Sequence, residues 1–411
     1  MDDIFDIVII GGGPAGMMAG ISAKNNQNKV CLLEKNNFLG KKLLLTGKGR
    51  CNLTTSKEIP QIIDAFGKKG KFLYGALTRF SNQKLMRFFE EREVKLKIER
   101  GDRVFPVSNK ATDILSCLEN ELEKKNVQVY LRFNVVKIAF HNNLFKIMSN
   151  SETILAKKLI IATGGKSYPQ TGSTGDGYKF VESFGHKVVK PSPALVPLIV
   201  DNEEINSLAG LSLKKVSLSF LSKDQVFAKE FGEMLFTHQG ISGPIVLKSS
   251  QKVFEQLNKK NKVFAQIDLK PALNKIVLKK RIHREIQKAP KKEYQSLLKT
   301  LLPRLLIAYA LRKTNINKDQ KNSLLSKNQI NCLIDFLKKI SFKITETAPL
   351  ETAIVTYGGV NIDEIDSKTM QSKIKPNLFF SGEIIALTGP TGGYNLQKAF
   401  STGWVAGKSA G

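Results

Sequence analysis

The chain has 411 residues, of which 42% are hydrophobic and 24% charged, proportions that exclude wholesale disorder. Its four cysteines and four histidines show no C-x-x-C pair and no metal-ligand spacing, so the sequence predicts no metal site. The net charge of +28 comes mainly from lysine, and base composition alone can produce such an excess, so its distribution matters more than its total.

The N-terminal residues lack the basic region, apolar stretch and cleavage site of a signal peptide. No apolar run approaches the roughly 20 residues of a membrane helix, and scattered cysteines fit a reducing compartment. The sequence therefore predicts a soluble, cytoplasmic protein without a membrane span. It does not indicate the oligomeric state.

A dinucleotide-binding motif is predicted in the segment FDIVIIGGGPAGMMAGISAKNNQNKVCLLEK. An apolar strand leads into G-x-G-x-x-G (Gly11, Gly13 and Gly16), a helix rich in small residues, and a second apolar strand that ends at Glu34. In such a motif the glycines make the tight turn, admit the pyrophosphate and allow close helix packing. Glu34 can accept hydrogen bonds from both ribose hydroxyls and disfavours the 2′-phosphate of NADP. FAD and NAD share this motif.

A second glycine-rich loop follows, GKKLLLTGKGRCNLT, with four cations and three glycines in fifteen residues. It differs from an NTP-binding phosphate loop, because Lys42 replaces the first required glycine and Gly49 replaces the required hydroxyl residue. The loop is therefore predicted to bind an anion of another kind.

The predicted secondary structure changes twice along the middle of the chain. Helices are predicted at SNQKLMRFFEERE and KATDILSCLENELEKKN, and a hairpin is predicted from VQVYLRFNVVKIAF and LFKIMSN with its turn at 141–143. An apolar strand then ends at Thr163, Gly164 and Gly165. After a proline-rich boundary near 191–197 the pattern alternates as in antiparallel strands. Residues 271–340 are helical and basic, with 17 Lys/Arg, four Asp/Glu and a net charge of +13.

The C-terminal segment NLFFSGEIIALTGPTGGYNLQKAFSTGWVAGKSAG predicts a strand, then Gly382 and Glu383, a glycine-rich turn, and a helix from about Tyr394. Such a return to the first domain is typical of FAD folds. A helix that begins after Gly392 and Gly393 would direct its positive end toward the flavin pyrimidine edge.

These motifs together resemble the BaiN-like NAD(P)/FAD-dependent oxidoreductases of bacteria. The resemblance extends over the chain through GKKLLLTGKGRCNLT, RVFPVSNKATDIL, TGSTGDGY, LFTHQGISGP, IVTYGGV and GPTGGYNLQKAFSTGWVAG. It implies an α/β fold with bound FAD, in which a Rossmann-like FAD-binding domain is split by an inserted β-barrel and a helical subdomain. The predicted domains are 1–190 and 351–411 for FAD, 191–270 with 341–350 for the barrel, and 271–340 for the basic helices.

The glycine motif and the resemblance together predict the cofactor contacts. These are Gly11, Gly13, Pro14, Ala15, Gly16, Glu34, Lys35, Lys42, Gly47, Gly49, Arg50, Cys51, Asn52, Thr163, Gly164, Gly165, Gly382, Glu383, Gly392, Gly393, Tyr394, Asn395 and Leu396. Lys42, Arg50 and the backbone around 47–52 would line the diphosphate and the isoalloxazine. Cys51 would serve packing rather than redox chemistry, since no second cysteine is adjacent.

Two residues are candidate catalytic groups. Histidine in general titrates near neutrality, so His238, within FTHQGISGP, could exchange a proton with substrate, although structural histidines are commoner. Tyr394, at the start of the last helix, is a rival proton donor.

The predicted function is hydride transfer through flavin N5, with reduction of an activated small organic substrate. Only one dinucleotide motif is present, so NADH or NADPH would have to dock transiently as the reductant. The alternatives are an oxidase of an amine or similar substrate and an RNA-binding or RNA-modifying flavoprotein. The basic segment at 271–340 motivates the RNA alternative, but it lacks interleaved aromatic residues and a groove-reading motif, so nucleic acid is not the favoured partner.

Overall fold

The structure, a computed structural model, describes residues 4–201 and 203–411. The chain divides into two compact units. The first comprises the chain up to Ala194 together with Leu350–Gly411, and the second comprises Leu195–Pro349. The domain boundaries expected from the sequence, 190/191 and 350/351, stay predictions.

The strands are numbered β1 to β18 in chain order. They are Ile4–Ile10, Val30–Leu33, Thr54–Thr55, Leu96–Glu99, Arg103–Pro106, Gln128–Tyr130, Lys137–His141, Leu144–Met148, Thr153–Ile161, Val188–Ala194, Leu198–Val200, Ser212–Ser222, Gln225–Phe236, Gly240–Ser242, Val263–Asp268, Ile340–Thr347, Val355–Val360 and Leu378–Phe380.

The α-helices are numbered α1 to α12. They are Pro14–Ala23, Ile59–Ala65, Tyr74–Arg79, Asn82–Glu90, Ala111–Lys124, Asp176–Ser183, Pro244–Asn258, Lys275–Lys288, Tyr294–Leu301, Arg304–Thr314, Lys327–Lys338 and Tyr394–Ala410. The last helix begins at the residue predicted from the sequence.

The first unit is built on a seven-stranded sheet in the order β6-β2-β1-β9-β8-β7, with β18 also paired to β9. β1, β2, β6, β9 and β18 are parallel, whereas β7 and β8 form an antiparallel hairpin. Residues 7–10 of β1, all of β2 and all of β18 are continuous apolar runs and are buried, as expected for strands with both faces covered.

One predicted element differs. The segment 127–140 was expected to form a single strand of a hairpin, but its first part is β6, which pairs in parallel with β2. Only β7 pairs with β8, across a turn in which Asn142 and Asn143 both have positive φ. Alternation along the segment is the same for both pairings, so the pattern alone could not separate them.

Helices α1 and α12 pack with their backbones in close contact. A Cβ at Gly403, Gly407 or Gly411 would lie 2.3 Å from the carbonyl oxygen of Ala15, Ala19 or Ala23, respectively. This spacing of four residues on both helices explains the small residues predicted in each segment. It fixes the start of α12 relative to the glycine turn at the start of α1.

The second unit contains a closed barrel in the order β11-β14-β13-β12-β15-β16, and β16 pairs with β11 to close it. Phe220, Phe236 and Phe342 are buried in its core. Tyr309 of α10 lies 6.1 Å from both Phe336 of α11 and Phe342 of β16, measured between ring centroids. The basic helices therefore share one hydrophobic core with the barrel.

Candidate functional site

The predicted cofactor residues of the first unit gather at one edge of the sheet. β1, β2, β9 and β18 run parallel, and each ends beside a predicted contact: Gly11, Glu34, Thr163 and Gly382, respectively. In open α/β sheets, ligands bind outside the carboxyl ends of the parallel strands. Gly11 and Gly382, which are 371 positions apart in the chain, are thus placed at one site.

The glycine turn has the geometry that a pyrophosphate requires. Gly11 has a φ of +111°, and a Cβ there would lie 2.5 Å from the Ala162 carbonyl oxygen. A Cβ at Gly16 would lie 1.8 Å from the Gly11 carbonyl oxygen. At Gly13, by contrast, a Cβ would meet nothing within 4 Å. Gly11 and Gly16 are therefore required by packing, whereas Gly13 faces open space.

The first turn of α1 has free hydrogen-bond donors. The first helical N–H···O bond runs from Met17 to Gly13, and the N–H groups of Ala15 and Gly16 have no acceptor among the described residues. Pro14 occupies the first helical position, where a missing N–H costs nothing. Two donors and the positive end of the helix dipole thus face the space beside Gly13.

Glu34 is buried and closes the turn. Its Oε2 accepts the Gly12 N–H at 2.8 Å, while its Oε1 accepts the backbone N–H of Asn36 at 2.8 Å and the Asn36 side chain at 2.6 Å. A carboxylate offers about four acceptor positions. One therefore remains, which suits a single ribose hydroxyl rather than the two expected from the sequence.

The second glycine-rich loop is held by its own contacts. Gly47 and Lys48 have positive φ and break the loop into two short turns. Arg50 pairs with Glu99, stacks 4.2 Å above the ring of Phe105, and donates to Asn109. Its guanidinium is thus engaged within the protein, so the backbone of the loop is its more available part for a ligand.

Asn52 connects this loop to the start of α12. In the amide orientation that satisfies both groups, Asn52 donates to the Thr54 carbonyl oxygen and accepts the Gly393 N–H, each at 3.2 Å. A Cβ at Gly393 would lie 2.3 Å from the Thr54 carbonyl group. These contacts bring together two predicted segments, 47–52 and 392–396.

Lys42 and Glu383 form an ion pair of 2.8 Å with side chains that are 23% and 17% exposed. Lys42 also donates to the Ser167 hydroxyl at 2.7 Å, and Glu383 accepts the Thr356 N–H at 2.7 Å. Burial alone would raise the pKa of Glu383, but the charge and hydrogen bond of Lys42, the Thr356 N–H and the charge of Lys398 lower it. Glu383 is therefore a carboxylate at neutral pH.

Lys398 adds a second buried cation that the sequence analysis did not identify. It is 2% exposed, and its Nζ donates to the Leu387 carbonyl oxygen at 2.5 Å. Burial lowers the pKa of Lys398 to about 8, against the raising effect of Glu383 and with the lowering effect of Lys42. The bond to Leu387 fixes the turn that precedes α12.

This burial predicts a pH-dependent stability. Between about pH 8 and the ordinary lysine pKa of about 10.4, the unfolded chain holds a proton that folded Lys398 has released. The unfolded state then binds more protons, so the free energy of unfolding rises with pH. We therefore expect the free energy of unfolding of the wild type, relative to that of Lys398→Met, to rise by up to about 1.4 kcal/mol per pH unit in this range.

Urea unfolding from pH 7 to about 10 measures this difference. Lys408→Met, an exposed lysine on the same helix, is the matched control and should show no such trend. A constant difference between wild type and Lys398→Met across the range would contradict the prediction.

Three buried hydroxyls at this site have no hydrogen-bond partner among the described residues: Thr163 Oγ1, Tyr178 OH and Ser381 Oγ. Thr163 and Ser381 follow β9 and β18, and a Cβ at Gly177 would lie 2.0 Å from Thr163 Oγ1. Burial, followed by the charge of Glu383, raises the pKa of Tyr178 and keeps its hydroxyl protonated. Unsatisfied buried polar groups are rare, but these three oxygens are enclosed by protein. The open space at Gly13 and the free donors of α1 are the features that fit a bound dinucleotide.

The start of α12 also offers free donors. Its first internal bond runs from Gln397 N–H to the Gly393 carbonyl, and the N–H groups of Tyr394, Asn395 and Leu396 have no acceptor in the part of the chain described. The Asn395 side chain instead accepts the Gly389 N–H at 2.9 Å and holds the preceding turn. The positive end of α12 is thus available to an anionic or electron-rich group.

The remaining predicted contacts vary in their availability. Lys35 is paired with Asp176 at 2.8 Å and donates to Thr174 at 2.6 Å. A Cβ at Gly165 would lie 2.4 Å from Thr356 Oγ1, so this glycine serves packing. Gly164 has a φ of +76°. Cys51 is completely buried, and burial raises its pKa to about 12 despite a hydrogen bond with Thr46, so it remains a thiol.

The two candidate proton donors lie in different units. Tyr394 is 8% exposed and its ring packs against Phe66, with centroids 6.4 Å apart; its hydroxyl has no hydrogen bond to the described residues. His238 lies in the second unit, exposed, between β13 and β14. Both remain predictions.

Two features of residues 4–201 and 203–411 concern metal binding and membrane spans. No group of three or more His, Cys, Asp or Glu side chains is arranged to hold a metal ion in that part of the chain. None of its helices combines the length and apolar character needed to cross a membrane.

Comparison with known proteins agrees with this architecture. The family model described as HI0933-like protein Rossmann domain matches residues 5–409, which confirms the Rossmann-like fold and the resemblance noted from the motifs. The chain is 32% identical to a 3-dehydro-bile acid delta(4,6)-reductase of Clostridium scindens, over 98% of each chain. It is 30% identical to a ribosomal RNA dihydrouridine synthase of Haemophilus influenzae, over 100% of this chain and 99% of that one.

A solved structure shares the fold at low identity. The 3-ketosteroid delta1-dehydrogenase of Sterolibacterium denitrificans aligns over 99% of both chains, with a TM-score of 0.54 and 12% identity.

Proposed function

Because this chain belongs to the HI0933-like family, a family of flavin-dependent oxidoreductases, we propose that it binds FAD and reduces a carbon–carbon double bond conjugated with a carbonyl group. The observation that carries this proposal is the open space at Gly13, bordered by free N–H groups of α1 at the carboxyl edge of the parallel strands.

The residues at this edge would hold the cofactor through its phosphates and its ribose. The Ala15 and Gly16 N–H groups would donate to the diphosphate, and the remaining acceptor position of Glu34 would bind one ribose hydroxyl. When bound, FAD supplies the hydride-transfer chemistry, and the protein supplies orientation and electrostatics.

Positive charge is concentrated beside the C-terminal return. Lys42 and Lys398 flank one carboxylate, Glu383, which leaves one excess positive charge, and the N–H groups at the start of α12 add the positive end of a helix dipole. Fixed positive groups of this kind stabilise negative charge that develops during reduction.

The reaction class is supported by what the two relatives are named for. Both names describe saturation of a double bond conjugated with a carbonyl, in a dehydro-bile acid and in a uracil ring. Such a substrate receives a hydride at its β-carbon and a proton at its α-carbon. Tyr394 is the candidate proton donor of the first unit, and NADH or NADPH would dock transiently as the electron donor.

Anaerobic stopped-flow absorbance at the flavin band, with NADH and NADPH separately, tests the donor. We expect bleaching with one of them, and reoxidation by a small enone whose product has gained two hydrogens by mass spectrometry. Tyr394→Phe should slow reoxidation more than bleaching, by about 10²-fold or more. Failure of both donors, with bleaching by an amine, would support the oxidase alternative instead.

A second candidate substrate is a uridine within ribosomal RNA. The relative from Haemophilus influenzae carries that activity in its name and aligns over the whole of this chain. A uracil ring presents the same conjugated bond as a small enone, so one site could serve either substrate. The choice depends on whether the protein binds RNA.

A further inference from the structure

The helical part of the second unit carries cations that its own carboxylates do not neutralise. Of the 17 Lys/Arg in residues 271–340, five are held in ion pairs, namely Lys275, Lys288, Arg312, Lys313 and Lys338. The other twelve have no carboxylate within 4 Å among the described residues.

Six of these unpaired cations lie on α8 and the turn that follows it. They are Lys279, Lys280, Arg281, Arg284, Lys291 and Lys292, called here the α8 patch. Arg281 lies close enough to Lys270 that its charge, after burial, lowers the pKa of that lysine. Glu285 of α8 is paired with Lys288, and the charges of Arg281 and Arg284 also help to lower its pKa. Six cations beside this one carboxylate leave the patch with a net positive potential.

Part of this charge lies on the exposed side of α8. Leu278 and Ile282 are completely buried in the core of the unit. On the exposed side, Lys280, Arg284 and Gln287 line an open pocket of about 520 Å³ together with Val277 and His283. With a rise of about 1.5 Å per residue, Lys280 and Arg284 are roughly 6 Å apart along the helix.

We propose that the α8 patch binds the phosphate backbone of RNA, an inference that rests on the proposed reductase function and assigns its substrate to RNA. Guanidinium, ammonium and amide groups around an open pocket are donors to phosphate oxygens. The absence of ion-pair partners means that binding need not break an existing salt bridge.

An anionic membrane surface fits this patch less well. A helix that lies in a membrane interface needs an apolar stripe directed outward. On α8, Ile276 and Val277 are exposed, at 70% and 45%, but both lie in its first turn. The apolar residues further along are Leu278 and Ile282, which are buried, and Ile286, which packs against the core.

The test is fluorescence anisotropy of a short labelled RNA duplex with the FAD-loaded protein across a salt series. Six phosphate contacts predict a log–log slope of about −5 and a loss of about 10³-fold in affinity between 0.05 and 0.2 M salt. Replacing all six patch residues by glutamine should flatten the slope toward zero and weaken binding at physiological salt by at least about 30-fold.

A matched variant removes the same charge from the first unit. Lys125, Lys137, Lys146, Lys187, Lys190 and Lys408 are exposed and unpaired there, and their replacement by glutamine should change affinity by less than about threefold. Equal losses in the two variants, or a shallow slope in the wild type, would overturn the proposal. Vesicles containing phosphatidylserine that bind in the same patch-dependent way, with no RNA binding, would assign the patch to membranes.

Flavin reduction and enone reduction, measured on the same samples, separate this inference from the proposed function. We expect both to be unchanged in the patch variant, since none of its six residues lies in the unit that carries the candidate cofactor site. Activity on enones without RNA binding would rule out RNA binding by the α8 patch and would leave the proposed reductase function standing. RNA binding without flavin reduction would end the reductase proposal and the RNA-substrate assignment with it.

Discussion

Gly13→Val is expected to yield a folded protein that no longer retains FAD. Gly13 has φ −78° and ψ 179°, values that any residue can adopt, and its missing side chain faces open space. A valine there would therefore cost the apoprotein little, about 1 kcal/mol or less. The same side chain would occupy the space where a pyrophosphate approaches the helix N-terminus, so we expect affinity for FAD to fall by about 10²-fold or more.

The measurement is the FAD content of purified protein, together with reconstitution of apoprotein followed by flavin fluorescence. Gly13→Ala should give an intermediate loss, since its methyl group fills part of the same space. Gly16→Ala is the contrasting variant, because its Cβ would lie 1.8 Å from the Gly11 carbonyl oxygen and should lower the unfolding temperature even without FAD. Retention of FAD by a well-folded Gly13→Val protein would exclude a cofactor at this turn.

The elements that could be predicted from the sequence are those with local causes. The glycine turn, the strands on either side of it and the start of α12 follow from glycines and apolar runs within about 30 residues. The hairpin between β12 and β13 likewise follows from alternation around a turn at Lys223 and Asp224, both with positive φ. Such signals depend on backbone geometry, which each short segment specifies by itself.

The contacts that could not be predicted join residues that are distant in the chain. Lys42 and Glu383 are 341 positions apart, and nothing local indicates that the cation of the second glycine-rich loop is neutralised by the C-terminal return. Lys398 is buried, and nothing in its local sequence indicates a buried cation. Only a weak signal could have identified three further residues of the site, namely their closeness in sequence to the glycines of TGGKSYPQTGSTGDGY and IVTYGGV. These residues are Ser167, Thr356 and Tyr178.

Arg50 shows that a local pattern can also predict a ligand contact for a side chain that distant residues already occupy. A cation in a glycine-rich loop suggests a phosphate ligand, but Glu99 and Asn109 occupy its donors. Charge counted along a segment therefore overestimates the charge available to a ligand. The unpaired cations of α8 could be separated from the paired ones only once the carboxylates were located in space.

The second large effect is expected at Glu383. Replacing it by glutamine keeps the shape of the side chain but leaves Lys42 and Lys398 without their shared counter-charge. Loss of one partner of a buried ion pair costs about 3 kcal/mol or more. We expect Glu383→Gln to lower the free energy of unfolding by that amount at pH 7, measured by urea unfolding of apoprotein and holoprotein. Asp363→Asn, an exposed carboxylate of the same unit, should change it by about 0.5 kcal/mol or less.

The pH dependence of this difference has a definite sign. The pKa of Glu383 is lowered in the folded protein, so its stabilising contribution is complete above the ordinary glutamate pKa of about 4.3. It is lost as the pH falls through the lower folded value. The wild type and Glu383→Gln should therefore converge in stability under acid conditions, and a difference that persists there would point to lost packing rather than lost charge.

A double-mutant cycle identifies which cation causes the loss. Lys398 is the more deeply buried of the two, whereas Lys42 is 23% exposed and can turn toward water. In Glu383→Gln, removal of the isolated Lys398 charge by Lys398→Met should therefore recover part of the stability, with a coupling energy of at least about 1 kcal/mol. Lys42→Gln in the same background should recover less. Strict additivity of Glu383→Gln and Lys398→Met would mean that the two groups do not interact, and that the hydrogen bond to Leu387 alone accounts for the buried lysine.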